Sequence, residues 1–216
     1  MHLIDQTRAG LVDYTCAQVA NLCPDGRNER LKQVLAAHVD EALARAGHCI
    51  DQVRMWTPGQ FSHLHSSQYC IYLYYLANSI WKGAGDRDAC TRLFLLNKTL
   101  NGIDLFYEIE MPKVFFIGHS VGIVLAKATY GERLVLYQNS TVGKNHGVAP
   151  VLGEGVVMYP NTAIIGRCTL GDRTVISQGT GIVNRDTPGD CVVFPGQGGD
   201  LIFKPYGRDI VADFFR

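Results

Sequence analysis

The sequence predicts an α+β protein: an α-helical N-terminal region followed by a parallel β-helix. Three observations lead there. Of 23 glycines, 7 fall in residues 1–103 and 16 in residues 104–216, so the second half must turn far more often. Apolar residues of the first half recur at helical spacing. In the second half they recur every sixth residue, a period that neither a helix nor an ordinary strand produces.

Residues 28–46 read as an amphipathic helix, with Leu31, Val34, Leu35, Val39 and Leu43 on one face and Gly47 as its stop. Pro24-Asp25-Gly26 before it is a turn. Residues 66–82 fit a buried helix or a strand by periodicity alone. Ser66 as a cap, the length, and the Gly83-Ala84-Gly85 stop favour a helix. A third helix covers 87–101, carrying Ala89, Leu93, Leu95, Leu96 and Leu100.

In the second half, Leu152, Met158, Ile164, Leu170, Ile176 and Ile182 stand six apart. Four positions after the first five come Val156, Thr162, Cys168, Thr174 and Thr180, all small or β-branched. Backwards, Val142, Leu136 and Tyr130 keep the step, with Ser140 and Leu134 as companions. Ile123, Ile117 and Met111 continue it after a one-residue offset. Each such hexad forms one short flat face of a parallel β-helix. Gly153, Asn161, Gly166 and Gly171 suit its corners. Val142 to Leu152 spans ten residues instead of six, so part of GKNHGVAP must bulge out as a loop, where function tends to sit.

At 216 residues the chain makes one domain, or one with an appendage. Lys+Arg and Asp+Glu are 20 each, and this zero net charge argues against nucleic acid or an anionic membrane as partner. A hydrophobic fraction of 47% with 10% aromatics excludes disorder. The start has no apolar stretch of signal length, and the run Tyr69 to Leu76 falls far short of the roughly 20 residues of a membrane span. Seven scattered cysteines without a C-x-x-C suit reduced thiols in a cytoplasm.

The segments GID ending at Asp104, IGHSVGIVLA (117–126), LYQNSTVG (136–143), APVLGEGV (149–156) and GDRTVISQGT (171–180) resemble serine acetyltransferase and its relatives. These are left-handed β-helix, hexapeptide-repeat acyltransferases, and the similarity covers about residues 70–200. The resemblance implies an α-helical domain over 1–103, a left-handed β-helix over 104–205 and a C-terminal tail over 206–216. It also implies a homotrimer, or a dimer of trimers, with acetyl-CoA in the groove between neighbouring prisms and no metal.

The family's catalytic pair is an aspartate and a histidine fifteen residues apart, and Asp104 and His119 stand at that spacing. A hydroxyl is a poor nucleophile near neutral pH, so an imidazole must take its proton as it attacks the thioester. A carboxylate on the other ring nitrogen fixes the tautomer and stabilises the imidazolium. Backbone N–H groups would hold the oxyanion. No cysteine stands at a nucleophile position, and Cys168 occupies an inward place, so direct transfer through a ternary complex is expected.

The sequence also departs from the family. An acidic residue that holds the amino-acid acceptor's ammonium is replaced by Gly118. A basic pair that grips its carboxylate is replaced by Val148 and Ala149 before Pro150. Simple counting puts Trp56 where a further aspartate stands. A missing partner for a desolvated charge typically costs a few kcal/mol. The expected acceptor is therefore a sugar or other small metabolite with a hydroxyl, with authentic serine O-acetylation as the alternative.

His146, in KNHG, positions the acceptor or faces solvent. His63 and His65 face the acceptor or serve as surface and capping residues. Glu108 and Glu110 bind a cationic group or form a solvated face. By position the coenzyme A contacts fall near Gly143, Lys144, Pro160 and Gln178, and Lys144 or Lys204 could meet a phosphate. A zinc enzyme on the same architecture needs three histidines, whereas the solenoid offers His119 and His146.

Overall fold

The computed structural model describes residues 1–216. It divides into two compact units: Met1–Asp51 with Trp56–Glu108, and Gln52–Met55 with Ile109–Arg216.

The first unit contains β1 (His2–Leu3), α1 (Arg8–Leu22), α2 (Asn28–Gln52, its last residue in the other unit), β2 (Gln60–Phe61), α3 (Ser66–Gly83), α4 (Arg87–Asn101) and β3 (Asp104–Leu105). The run that periodicity left ambiguous is α3. Every residue from Ser67 to Ile80 is buried, which is why no polar face marks it as a helix. Its polar groups are satisfied one by one, as burial demands. Arg45 donates to Ser79 Oγ at 2.8 Å and to Asn78 Oδ1 at 2.7 Å, with its guanidinium 4.4 Å from the Tyr75 ring centre. Asn97 of α4 donates to the Cys70 carbonyl at 3.0 Å.

Two local expectations are corrected. The cap of α3 is His65, whose Nδ1 accepts from the Gln68 N–H at 3.4 Å, and Ser66 is the first helical residue. Gly47 does not stop α2, which continues for another turn and more. Its missing side chain instead makes room for Met1, whose Sδ lies 3.1 Å from where a Cβ would stand. An additional helix, α1, precedes it, capped by Thr7 Oγ1 accepting from Gly10 N–H at 3.0 Å. Its buried stripe includes Thr15 and Cys16, so it lacks a clear apolar pattern. The third expected helix is α4, bounded by the Asp86 cap and by Gly102 at φ 63°.

The second unit is a parallel solenoid. Its strands are β4 (Phe115–Ile117), β5 (Val124–Leu125), β6 (Thr129–Tyr130), β7 (Leu134–Leu136), β8 (Thr141–Gly143), β9 (Val151–Leu152), β10 (Val157–Met158), β11 (Ala163–Ile165), β12 (Thr169–Leu170), β13 (Val175–Ile176), β14 (Gly181–Val183), β15 (Cys191–Pro195) and β16 (Leu201–Pro205), followed by α5 (Val211–Phe214). They stack into three faces: β4-β7-β10-β13-β15, β5-β8-β11-β14 and β6-β9-β12. Val157 pairs with Val175 and Ile164 with Ile182, eighteen residues on, so three hexads make one coil. β16 closes the last coil as an antiparallel hairpin with β15.

The hexad residues point inward: Leu136, Met158 and Ile176 on one face, Val142, Ile164 and Ile182 on the next, Tyr130, Leu152 and Leu170 on the third, all buried. The small companions close the corners. Thr162 donates to the Tyr159 carbonyl at 2.8 Å, Cys168 to Ile165 at 3.2 Å and Thr174 to Gly171 at 2.7 Å, each three residues back. Among the corner residues, Asn161 and Gly166 have positive φ, whereas Gly153 and Gly171 are needed for close approach of the next coil's backbone. The last eleven residues fold onto this unit. Val53 bridges to Phe215, Arg54 N–H donates to the Phe214 carbonyl at 2.8 Å, and Ile210 and Phe215 are buried.

Ile164→Ala removes a buried side chain between Val142 and Ile182. We expect a loss of about 2–5 kcal/mol in equilibrium urea unfolding, because a stacked coil cannot collapse into the gap.

Candidate active site

β4 ends at Ile117, and the chain turns through residues 118–123 into β5. His119 lies exposed on this turn, while Ser120 is buried and its carbonyl accepts from Ile123 N–H at 3.2 Å. The register sets Ile117 beside Leu136, Met158 and Ile176 in successive coils. The residues that follow them form a corner column: Gly118, Tyr137, Tyr159 and Ser177. Gly118 N–H donates to the Leu136 carbonyl at 2.9 Å, and Tyr137 N–H to the Met158 carbonyl at 3.1 Å.

Tyr137 is packed on several sides. Its ring stacks on Tyr159 at 5.6 Å and 26°, and Phe116 and Phe214 meet it edge-on at 6.2 and 6.4 Å. The His119 ring is 6.5 Å away, centre to centre. A Cβ at position 118 would stand 2.6 Å from Tyr137 Cε1, so the aromatic ring occupies the space that a side chain there would need. Burial pushes the Tyr137 phenol above the usual range, with Tyr159 adding to the effect, and burial does the same to Tyr159. Gln138, in the next position along, has a buried side-chain oxygen with no partner. Sequence reasoning missed Tyr137 and Gln138. Both follow the inward Leu136 of a hexad, but what they meet is set by contacts from one coil to the next, which local sequence does not name.

Asp104 lies in β3 of the helical unit, because the division falls at Glu108–Ile109. Its half-buried carboxylate is paired with Lys98 Nζ of α4 at 2.6 Å, a partner the spacing argument did not find. His63 packs edge-on against Tyr14 at 4.9 Å with Nδ1 buried and unpartnered. His65 is spent on the α3 cap and meets Trp56 edge-on at 5.6 Å. Glu108 is half-buried in the helical unit, and Glu110 is exposed in the solenoid unit.

The four extra residues of the loop form a tight hairpin. Asn145 and Val148 exchange backbone hydrogen bonds at 3.0 Å, and His146 and Gly147 between them both have positive φ, 48° and 81°. That is the type I′ geometry, and it puts His146 at an exposed tip. Val148 is exposed on the return strand, Ala149 half-buried and Pro150 buried. Pro160 and Gln178 occupy successive coils of the same corner as His119, whereas Gly143 ends β8 and Lys144 follows it at the next corner. Lys204 lies over the Phe194 ring at 5.4 Å. A cavity of about 690 Å³ lies elsewhere, lined by residues that include Arg133, Arg173, Asp190, Arg208 and Arg216. None of the expected site residues lines it.

No family model matches the chain. A plasmid-borne serine acetyltransferase of Synechococcus elongatus is 30% identical over 84 residues, covering 32% of this chain and 26% of the relative. The chain thus matches about a quarter of that relative's length. The structure of Neisseria gonorrhoeae serine acetyltransferase in complex with serine superposes with a TM-score of 0.69 at 16% identity, over 91% of this chain and 84% of that one. A serine acetyltransferase in complex with CoA gives 0.69 at 18% identity, over 91% and 85%. The fold is that of the serine acetyltransferases. The expected arrangement, α-helices followed by a left-handed parallel β-helix, is therefore the one found.

Two outcomes check this geometry. His146→Asn leaves stability within about 0.5 kcal/mol, since Asn tolerates the left-handed region, whereas Gly147→Val costs on the order of 1–2 kcal/mol in thermal or urea unfolding. The raised phenols stay protonated in the folded chain where unfolded tyrosines, with pKa about 10, ionise. Their contribution is complete below about pH 10 and is lost as pH climbs through the folded values. Unfolding measured from about pH 9 to 12 should show that decline, flattened in Tyr137→Phe.

Proposed function

We propose that the chain is an acetyl-CoA-dependent O-acetyltransferase in which His119 is the general base. The observation that carries the reading is an exposed histidine on the first corner turn of a solenoid with the serine acetyltransferase fold. His119 takes the proton of an acceptor hydroxyl as its oxygen attacks the thioester carbonyl. The tetrahedral intermediate then collapses, the C–S bond breaks, and the imidazolium returns the proton to the departing thiolate. Asp104 is proposed as the orienting carboxylate on the fifteen-residue spacing. Pro160, Gln178, Gly143 and Lys144 are proposed to meet coenzyme A, in a cytoplasmic homotrimer or dimer of trimers.

Serine is the acceptor that the comparisons support, since the relatives named above are serine acetyltransferases and one is in complex with serine. The expectation of a different acceptor draws no support from them. One feature favours that second reading, the Tyr137 ring in the space beside Gly118.

The test is release of free thiol from acetyl-CoA with serine and with sugar and polyol hydroxyls. His119→Ala should lower kcat by about 10²–10⁴ with every productive acceptor. Unchanged kcat would remove His119 from the mechanism.

A further inference from the structure

The turns of the corner that carries His119 hold no Asp, Glu, Lys or Arg. They read Gly118-His119-Ser120-Val121, Tyr137-Gln138-Asn139, Tyr159-Pro160-Asn161 and Ser177-Gln178-Gly179. Two of the amides are already joined, Asn139 donating to Asn161 Oδ1 at 2.9 Å. The tail charges that act on Tyr159, Arg208 and Asp213, pair with each other at 3.3 Å. An acidic side chain at position 118 has no room while Tyr137 keeps its place. Tyr137 cannot swing away without losing its stack on Tyr159 and its edge contacts with Phe116 and Phe214.

What the corner does offer is neutral hydrogen-bonding capacity. The Tyr137 phenol is a donor. The buried, unpartnered side-chain oxygen of Gln138 is an acceptor that stays unmatched until a ligand donor meets it. A free ammonium or carboxylate desolvated against this corner would find no counter-charge on it. Hydroxyl groups would find both a donor and an acceptor, with aromatic surface beside them.

We infer that Tyr137 and Gln138 form the acceptor subsite beside His119, and that this subsite selects a neutral polyhydroxylated acceptor, a sugar or polyol, over a free amino acid. The inference rests on the O-acetyltransferase reading above. Gly118 and Tyr137 act as one specificity element: the glycine admits the ring, and the ring replaces a charge with a phenol.

The experiment is steady-state thiol release from acetyl-CoA with L-serine and with the neutral probes D-glucose, D-galactose and sorbitol. Wild type should use at least one neutral probe with a higher kcat/KM than L-serine. Tyr137→Phe keeps the packed ring and should raise KM for that probe up to about tenfold with kcat nearly unchanged, the size of one lost hydrogen bond. Gly118→Asp combined with Tyr137→Ala should shift the kcat/KM ratio at least about tenfold towards serine. Preference of wild type for serine over every neutral probe overturns the inference while leaving O-acetyl transfer intact. So does a KM for the neutral probe that Tyr137→Phe does not move. Absence of transfer to serine and to all neutral probes overturns the O-acetyltransferase reading, and the inference falls with it.

Discussion

Each coil of the solenoid satisfies its backbone on its neighbours. Val135 N–H donates to the Val156 carbonyl, Val157 to Thr174 and Ala163 to Thr180, each bond reaching into the adjacent coil. A single coil has neither a closed ladder nor a buried core, so the coils stand or fall as a stack. Stacking requires that every coil present the same cross-section. The six-residue repeat supplies this through an inward apolar residue at the centre of each face and a small residue near each corner. The hydroxyls of Thr162 and Thr174 are buried, yet they cost little because each donates to a carbonyl three residues back.

A rigid stack with fixed register also fixes what hangs at its corners. His119, Tyr137, Tyr159 and Gln178 owe their alignment to inward residues that pair at Ile117, Leu136, Met158 and Ile176. The corner chemistry is thus decided by outward residues that the stack tolerates freely, subject to sterics between coils. The Gly118–Tyr137 contact shows that limit: the Tyr137 ring lies where a side chain at position 118 of the preceding coil would stand. The ten-residue step obeys the same logic, since its four extra residues leave the stack as a type I′ hairpin and return without disturbing the pairing of Val142 with Ile164.

The repeat was the most legible part of the sequence, because one geometric requirement recurs at every coil. α4 was equally legible, with a cap at Asp86 and a left-handed Gly102 marking both ends. Gly47 misled because a glycine's use depends on what approaches it, here Met1 from the far end of the chain. His65 as a cap, and Gly153 and Gly171 as contact glycines, depend in the same way on neighbours that local sequence does not name. At the candidate site, the place of His119 at a coil corner was legible from the hexad register. Lys98 beside Asp104, Tyr137 beside Gly118 and the unpartnered oxygen of Gln138 were not, because each depends on a contact across turns or coils.

The proposed chemistry lies at the His119 corner and not in the charged cavity lined by Arg133, Arg173 and Arg216. A crystal structure of the chain with coenzyme A bound tests this most directly. The account predicts the thiol sulfur at the His119 turn, with the pantetheine arm passing Pro160 and Gln178. Coenzyme A seated in the arginine-lined cavity, with its sulfur remote from His119, would contradict it.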